Sequence, residues 1–263
     1  MRIENQLEKP SLHKQFVDFG KKQTHVGNQT ILVADDAADT RLIVSRSLEF
    51  DGFNCITAGD GREVLDLIQQ HKPRLIVLDL MLPELNGFQV LLRLQNYYLS
   101  SERPKICVIS SIDKPDFVKR AFEFGADDYL VKPILPDMLS YRVRKVLNQS
   151  STDDYFFTNC NFLATLNHGE TKNPCHITKI SEVGLTIKSR VNLSSSNGVC
   201  SITCPSLTKI IETSNPIFIK RSASSGSLRE TRYDFVALPE SRMEKLRSVV
   251  IRGKYISDAN FKN

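Results

Sequence analysis

The sequence predicts an α/β doubly wound five-stranded parallel sheet followed by a C-terminal antiparallel β-barrel with a terminal helix. Three observations carry that expectation. From Thr30 to Asn148 short apolar runs rich in β-branched residues alternate with longer amphipathic segments. After Asn148 the long helical period gives way to short alternating stretches separated by turn clusters. The chain has 263 residues, enough for two domains of ~100–150 residues each.

In the first part the strands are expected at Ile31–Ala34, Phe53–Thr57, Leu75–Leu78, Lys105–Ile109 and Tyr129–Val131. Helices are expected at 39–50, 61–71, 84–99, 114–124 and 136–148. Runs such as Leu75-Ile76-Val77-Leu78 are apolar on both faces, which a sheet covered by helices on both sides requires. Five such strands alternating with helices give a parallel sheet, and ligands bind such sheets beyond the carboxyl ends of the strands.

Three segments follow from this reading. Residues 1–28 form a lead-in in which Leu12, Phe16 and Phe19 fit a short helix. Residues 29–149 form the α/β domain. The polar joint QSSTDD then opens a barrel over 150–263, with strand-like stretches at Tyr155–Leu166, His176–Lys188, Gly198–Cys204, Pro216–Arg221 and Thr231–Leu238. Pro239-Glu240-Ser241 starts a helix of about 240–252 whose Met243, Leu246 and Val250 can lie on the barrel.

Apolar residues make up 41% and charged residues 25% of the chain, the composition of a folded globular protein rather than a disordered one. No stretch reaches the ~18–20 apolar residues of a membrane helix, and the N-terminus lacks a secretion-signal core, so a cytoplasmic location is expected. The net charge of +5 points only weakly to an anionic partner. Zinc held by Cys160, Cys175, His176, Cys200 and Cys204 is one reading of the barrel cysteines. Their spacing matches no standard ligand pair, and buried thiols are the better reading.

The chemistry concentrates at the strand ends. Asp35 and Asp36 follow the first strand, Asp79 ends the third, Ser110-Ser111 end the fourth, and Lys132-Pro133 follow the fifth. Three carboxylates in one crevice repel one another unless a cation joins them, and hard oxygen ligands suit Mg²⁺. A metal-bound carboxylate beside a lysine is placed to attack a phosphoryl group, with metal and ammonium offsetting charge on its oxygens.

The segments ILVADD, LIVLDLMLPELNG, VISS and GADDYLVKP, in this order over about 30–149, resemble the signature blocks of the response-regulator receiver domain, which has a flavodoxin-like fold. The resemblance implies that Asp79 is the phosphoacceptor and that Asp36 ligates Mg²⁺ directly. Asp35 would help through water, and the Met81 carbonyl would complete the protein ligands. It further implies that Lys132 pairs with the phosphoryl group, that Ser110 is the switch hydroxyl, and that Tyr129 is the aromatic that follows it. Pro83 and Gly87 fit the loop after Asp79, and a cis peptide is implied at Lys132–Pro133. The implied partner is a sensor histidine kinase or a phosphotransfer protein. Met81 and Ile112, two residues beyond Asp79 and Ser110, are apolar and cannot orient a hydrolytic water.

The second half resembles a PilZ domain less closely. ITKISEVGLTIKS is similar to that family's strand–turn–strand block, with Lys179, Ser181 and Gly184 at the motif positions, and TRYDFVALPESRMEKLRSVV looks like its last strand and helix. The family binds cyclic di-GMP through an arginine pair ahead of the first strand. Residues 151–157 contain no arginine, and Asp153 and Asp154 would repel the dianion, so the sequence speaks against that ligand. The fold does not carry the ligand with it. A non-enzymatic output acting on an unknown partner protein is therefore the first expectation, with a homodimer left open. A cyclic di-GMP sensor is a second reading. Nucleic-acid binding through Lys172, Lys179, Lys188, Arg190, Lys209, Lys220 and Arg221 is a third, weakened by the lack of a recognition helix.

Overall fold

The computed structural model describes residues 29–97, 103–148, 157–189, 198–222, 230–251 and 256–257. The expected lead-in helix around Leu12, Phe16 and Phe19, and residues 151–156 of the arginine-free segment, lie outside them.

The first sheet is built from β1 (Thr30–Ala34), β2 (Asn54–Ala58), β3 (Leu75–Asp79), β4 (Lys105–Ser110) and β5 (Asp128–Val131). All its pairings are parallel, in the order β2-β1-β3-β4-β5. Helices α1 (Ala38–Phe50), α2 (Gly61–His71), α3 (Gly87–Tyr97), α4 (Pro115–Glu123) and α5 (Pro136–Val146) connect and follow the strands. Every residue of β3 is buried, as its two-faced apolar run requires. Two apolar clusters sandwich the sheet, one around Leu32, Ile76 and Val108 and the other around Ile31, Val77 and Ile109. Local signals agree with this. Asp60 caps α2 by accepting from the amides of Arg62 and Glu63, and prolines open α4 and α5.

The second sheet contains β6 (Thr158–His168), β7 (Thr171–Ile180), β8 (Gly184–Ser189), β9 (Val199–Thr203), β10 (Ile217–Arg221) and β11 (Glu230–Val236). These run in the order β6-β7-β8-β11-β10-β9, and β9 pairs back onto β6 with Thr165 opposite Thr203. Six antiparallel strands thus close a barrel, which leaves them no free edge. Along β6 the inward positions are Cys160, Phe162, Ala164 and Leu166, the period of two that the alternating sequence encodes. Helix α7 (Glu240–Ile251) lays Met243 and Leu246 on the barrel core as expected, with Val250 partly buried beside them.

His176–Lys188 covers the end of β7 and most of β8 with a tight turn at Ser181–Val183 between them, the strand–turn–strand form expected of ITKISEVGLTIKS. Two features differ from the sequence expectation. A short helix α6 (Pro205–Ile210) follows β9, its first turn capped by the Cys204 sulfur accepting from the Leu207 amide. A short β12 (Ile256–Ser257) also pairs with β6, in parallel. No helix among the described residues is long and apolar enough to cross a membrane.

The two sheets share apolar packing. Phe218 of β10 and Val236 of β11 join the cluster of the parallel sheet, and Met138 of α5 joins the barrel core.

Candidate functional site

In the parallel sheet the chain order reverses between β1 and β3, which leaves a crevice at their carboxyl ends. Ala34 is level with Leu78, so the next residues along the two strands, Asp35 and Asp79, stand side by side. Carboxylate oxygens of Asp35, Asp36 and Asp79 all lie within 4.8 Å of one another. Asp35 and Asp79 are buried while Asp36 is exposed, so the trio opens to solvent on one side. Such an all-oxygen donor set fits a hard divalent cation such as Mg²⁺ and fits thiophilic metals poorly.

The loops hold these oxygens in place. The Ala37 amide donates to Asp35 Oδ1 at 3.0 Å, and the Met81 amide donates to Asp79 Oδ1 at 3.0 Å. Arg41 reaches back from α1 and donates from Nη1 to the carbonyls of Asp35 at 2.7 Å and Asp36 at 3.0 Å. After Asp79 the chain folds back so closely that a Cβ on Gly87 would sit 2.4 Å from the Asp79 carbonyl oxygen, which only glycine avoids. Met81 is exposed, and a cavity of about 370 Å³ opens over Asp36 and Met81 between Pro83, Phe88 and Phe117.

Lys132 crosses the crevice. Its Nζ donates to Asp35 Oδ2 at 2.6 Å and to Asp79 Oδ2 at 2.5 Å. Burial pulls its ammonium down, but the hydrogen bonds and charges of Asp35 and Asp79 outweigh that and raise its pKa above the ordinary lysine value. The peptide between Lys132 and Pro133 is cis, as the resemblance implied. Ser110 is fully buried, and its Oγ accepts from the Ile112 amide at 3.3 Å. Tyr129 is fully buried as well, with its hydroxyl donating to the Ile112 carbonyl at 2.6 Å. Burial pushes its phenol up to about 12.

Residues 31–144 match the response regulator receiver domain. The chain is similar to a probable transcriptional regulator ycf27 of Porphyridium aerugineum, 40% identical over 121 residues that make up 46% of this chain and 49% of the relative. It is also 37% identical over 123 residues to the alkaline phosphatase synthesis transcriptional regulatory protein PhoP of Bacillus subtilis, covering 47% of this chain and 50% of that one. The solved Francisella response regulator 1452 receiver domain is 30% identical, with 47% of this chain and all of that one covered and a TM-score of 0.43. The chain spans about half the length of the curated relatives it matches.

The receiver domain therefore assembles the residues that the sequence put at its strand ends: Asp35, Asp36, Asp79, Ser110 and Lys132 share one end of the sheet, and Tyr129, early in β5, reaches toward it through its hydroxyl bond to the Ile112 carbonyl. Arg41 escaped the sequence reading because its role runs through backbone carbonyls. Its place five residues after Asp36, one and a half turns along, was the available signal.

In the barrel the motif positions are used locally. Ser181 Oγ accepts from the amides of Val183 and Gly184 and is fully buried. A Cβ on Gly184 would lie 2.2 Å from the Tyr233 carbonyl oxygen. Lys179 is exposed on β7. The barrel cysteines Cys160, Cys175, Cys200 and Cys204 are buried, and burial pushes the Cys175 thiol up to about 11. Among the described residues only the aspartate trio gathers three metal-ligating side chains, so the thiols do not form the zinc set considered from sequence.

The barrel also meets the strand that carries Tyr129. β5 is the edge strand of the parallel sheet, and the Tyr129 carbonyl accepts from the Ala237 amide at 3.0 Å. Arg142 of α5 is buried at 4% exposure, ion-paired with Asp128 and donating to the Phe235 carbonyl at 2.8 Å. Lys220 of β10 donates to the Asp127 carbonyl at 2.6 Å and sits 5.6 Å from the Phe122 ring centre.

Proposed function

We propose that the protein is a two-component response regulator in which Asp79 accepts a phosphoryl group from a phosphohistidine donor, a sensor histidine kinase or phosphotransfer protein. The observation that carries this reading is Lys132 bridging Asp35 and Asp79 beside the exposed Asp36. Asp79 Oδ attacks phosphorus, the P–N bond breaks, and its electron pair leaves with the donor imidazole. Asp35, Asp36, Asp79 and the Met81 carbonyl would hold Mg²⁺, which supplies positive charge to the phosphoryl oxygens. Lys132 exchanges its carboxylate partners for a phosphoryl oxygen, and the Ser110 hydroxyl donates to another. The chain's own reaction is this phosphoryl transfer onto Asp79, and among the described residues no second catalytic constellation motivates an enzymatic output.

The output is the barrel, PilZ-like in its strand–turn–strand block and terminal helix, acting as an interaction module on a partner protein. Its docking on β5 supports a route from Asp79 to the barrel. Movement of Ser110 frees or fills the space occupied by the Tyr129 ring, and the Tyr129 main chain is bonded to Ala237. The use of Ser181 and Gly184 within their own turn favours an interaction module over a cyclic di-GMP sensor. Incubation with acetyl phosphate and Mg²⁺ tests the reading by intact mass. One added phosphate is expected, absent without Mg²⁺ and absent in Asp79→Asn; equal labelling of that variant refutes it.

A further inference from the structure

Sulfur is spread through both units of the chain, and nearly all of it is shielded. The cysteines are free thiols; Cys107, Cys160, Cys175, Cys200 and Cys204 are buried and Cys55 is half-buried. Burial pushes the Cys55 thiol up to about 12 and the Cys175 thiol up to about 11, and raises Cys107 well above the usual range, so little of the reactive thiolate forms. Met138 and Met243 are buried as well, in the barrel core. Met81 differs, at 62% exposure. It lines the cavity of about 370 Å³ that also borders Asp36. Among the described residues it is the one exposed sulfur.

Its place gives that exposure a consequence. The Met81 amide donates to Asp79 Oδ1 at 3.0 Å, which fixes the root of the side chain beside the carboxylate. A thioether accepts hydrogen bonds only weakly, whereas oxidation to the sulfoxide makes the same side chain polar. We propose that Met81 is a methionine-oxidation site through which a peroxide shortens the life of the phosphorylated chain, an inference that rests on the reading of Asp79 as the phosphoacceptor. The Met81 sulfur attacks one peroxide oxygen and the O–O bond breaks. The departing hydroxide takes the proton left on the transferred oxygen and becomes water, so the thioether is oxidised to the sulfoxide as the peroxide is reduced. The sulfoxide oxygen then accepts a hydrogen bond from a water at the pocket mouth and orients it toward the phosphoryl group, which the unmodified side chain cannot do.

The test treats the full chain with hydrogen peroxide, reads the added oxygen by intact mass and locates it by peptide mapping. Met81 should oxidise about tenfold or more faster than Met138 and Met243. Treated and untreated chains are then phosphorylated with acetyl phosphate and Mg²⁺, and the treated chain should lose its phosphate about fivefold or more faster. Methionine sulfoxide reductase should reverse that change. In Met81→Leu, whose side chain holds no sulfur, peroxide should leave the lifetime where it stood before treatment. Oxidation of Met81 no faster than of the buried methionines, or an equal peroxide effect in Met81→Leu, overturns the proposal. An untreated chain that takes up no phosphate refutes the reading of Asp79 itself, and the proposal falls with it. Labelling with an unchanged lifetime after complete Met81 oxidation overturns the proposal alone.

Discussion

The Tyr129 carbonyl oxygen accepts a hydrogen bond from the Ala237 amide at 3.0 Å, joining the edge strand of the receiver domain to the end of a barrel strand. Tyr129's own amide is satisfied by Asp128 Oδ1 at 2.8 Å. Both backbone polar groups of this residue are therefore satisfied on the strand that the barrel covers. An exposed β edge invites foreign strands, and here the barrel blunts it. Ala237 adopts a φ of 53°, a left-handed conformation that non-glycine residues adopt at a cost.

Ala237→Pro removes the donor and demands a φ near −65°, so it should destabilise the chain by about 2–3 kcal/mol. Ala237→Gly keeps the donor and relieves the left-handed backbone, and should hold or raise stability. Denaturant unfolding of both variants checks the pair. Equal midpoints would show that the bond contributes nothing.

Arg142 and Asp128 form a buried ion pair that also holds the Phe235 carbonyl. Arg142→Met strands the Asp128 carboxylate in the interface and should cost about 3–5 kcal/mol. The double variant Arg142→Met/Asp128→Asn should recover a substantial part of that loss, measured as a coupling energy in a double-mutant cycle.

The parallel sheet and its site were legible because its strands are short apolar runs and Asp35, Asp36, Asp79, Ser110 and Lys132 sit at their carboxyl ends. Ile31–Ala34 and Leu75–Leu78 are buried on both faces, and the residues after them meet. The interface was not legible. Phe218 and Val236 alternate like any barrel strand residues, yet they pack into the receiver core, and pattern alone does not tell which apolar surface a strand faces. Arg142 resembles a solvated base near a helix end, although it is buried. Helix α6 went unseen because cysteine is not among the usual capping residues, despite Pro205 at its first turn.

Lys132→Met removes the ammonium that bridges Asp35 and Asp79. Left with only mutual repulsion, the trio should bind Mg²⁺ about tenfold more tightly, while labelling by acetyl phosphate slows by about 10²-fold. Calorimetry and intact mass separate the two effects. Weaker Mg²⁺ binding in the variant would mean that the lysine does not compete with the metal.

Met81 is exposed and Ile112 partly buried at the mouth of the pocket, and neither side chain can orient water. Met81→Asn/Ile112→Glu should shorten the phosphorylated lifetime by about tenfold or more. Loss of the added mass over time checks this, and an unchanged decay rate would remove these side chains from the account.

The link from Asp79 through Tyr129 to the barrel is tested most directly by hydrogen exchange at the Ala237 amide. The measurement compares the chain before and after incubation with acetyl phosphate and Mg²⁺, alongside Asp79→Asn treated identically. The account predicts a change of about tenfold in Ala237 exchange in the wild type and none in the variant. Ala237 exchange that is the same in phosphorylated and unphosphorylated wild type would contradict it.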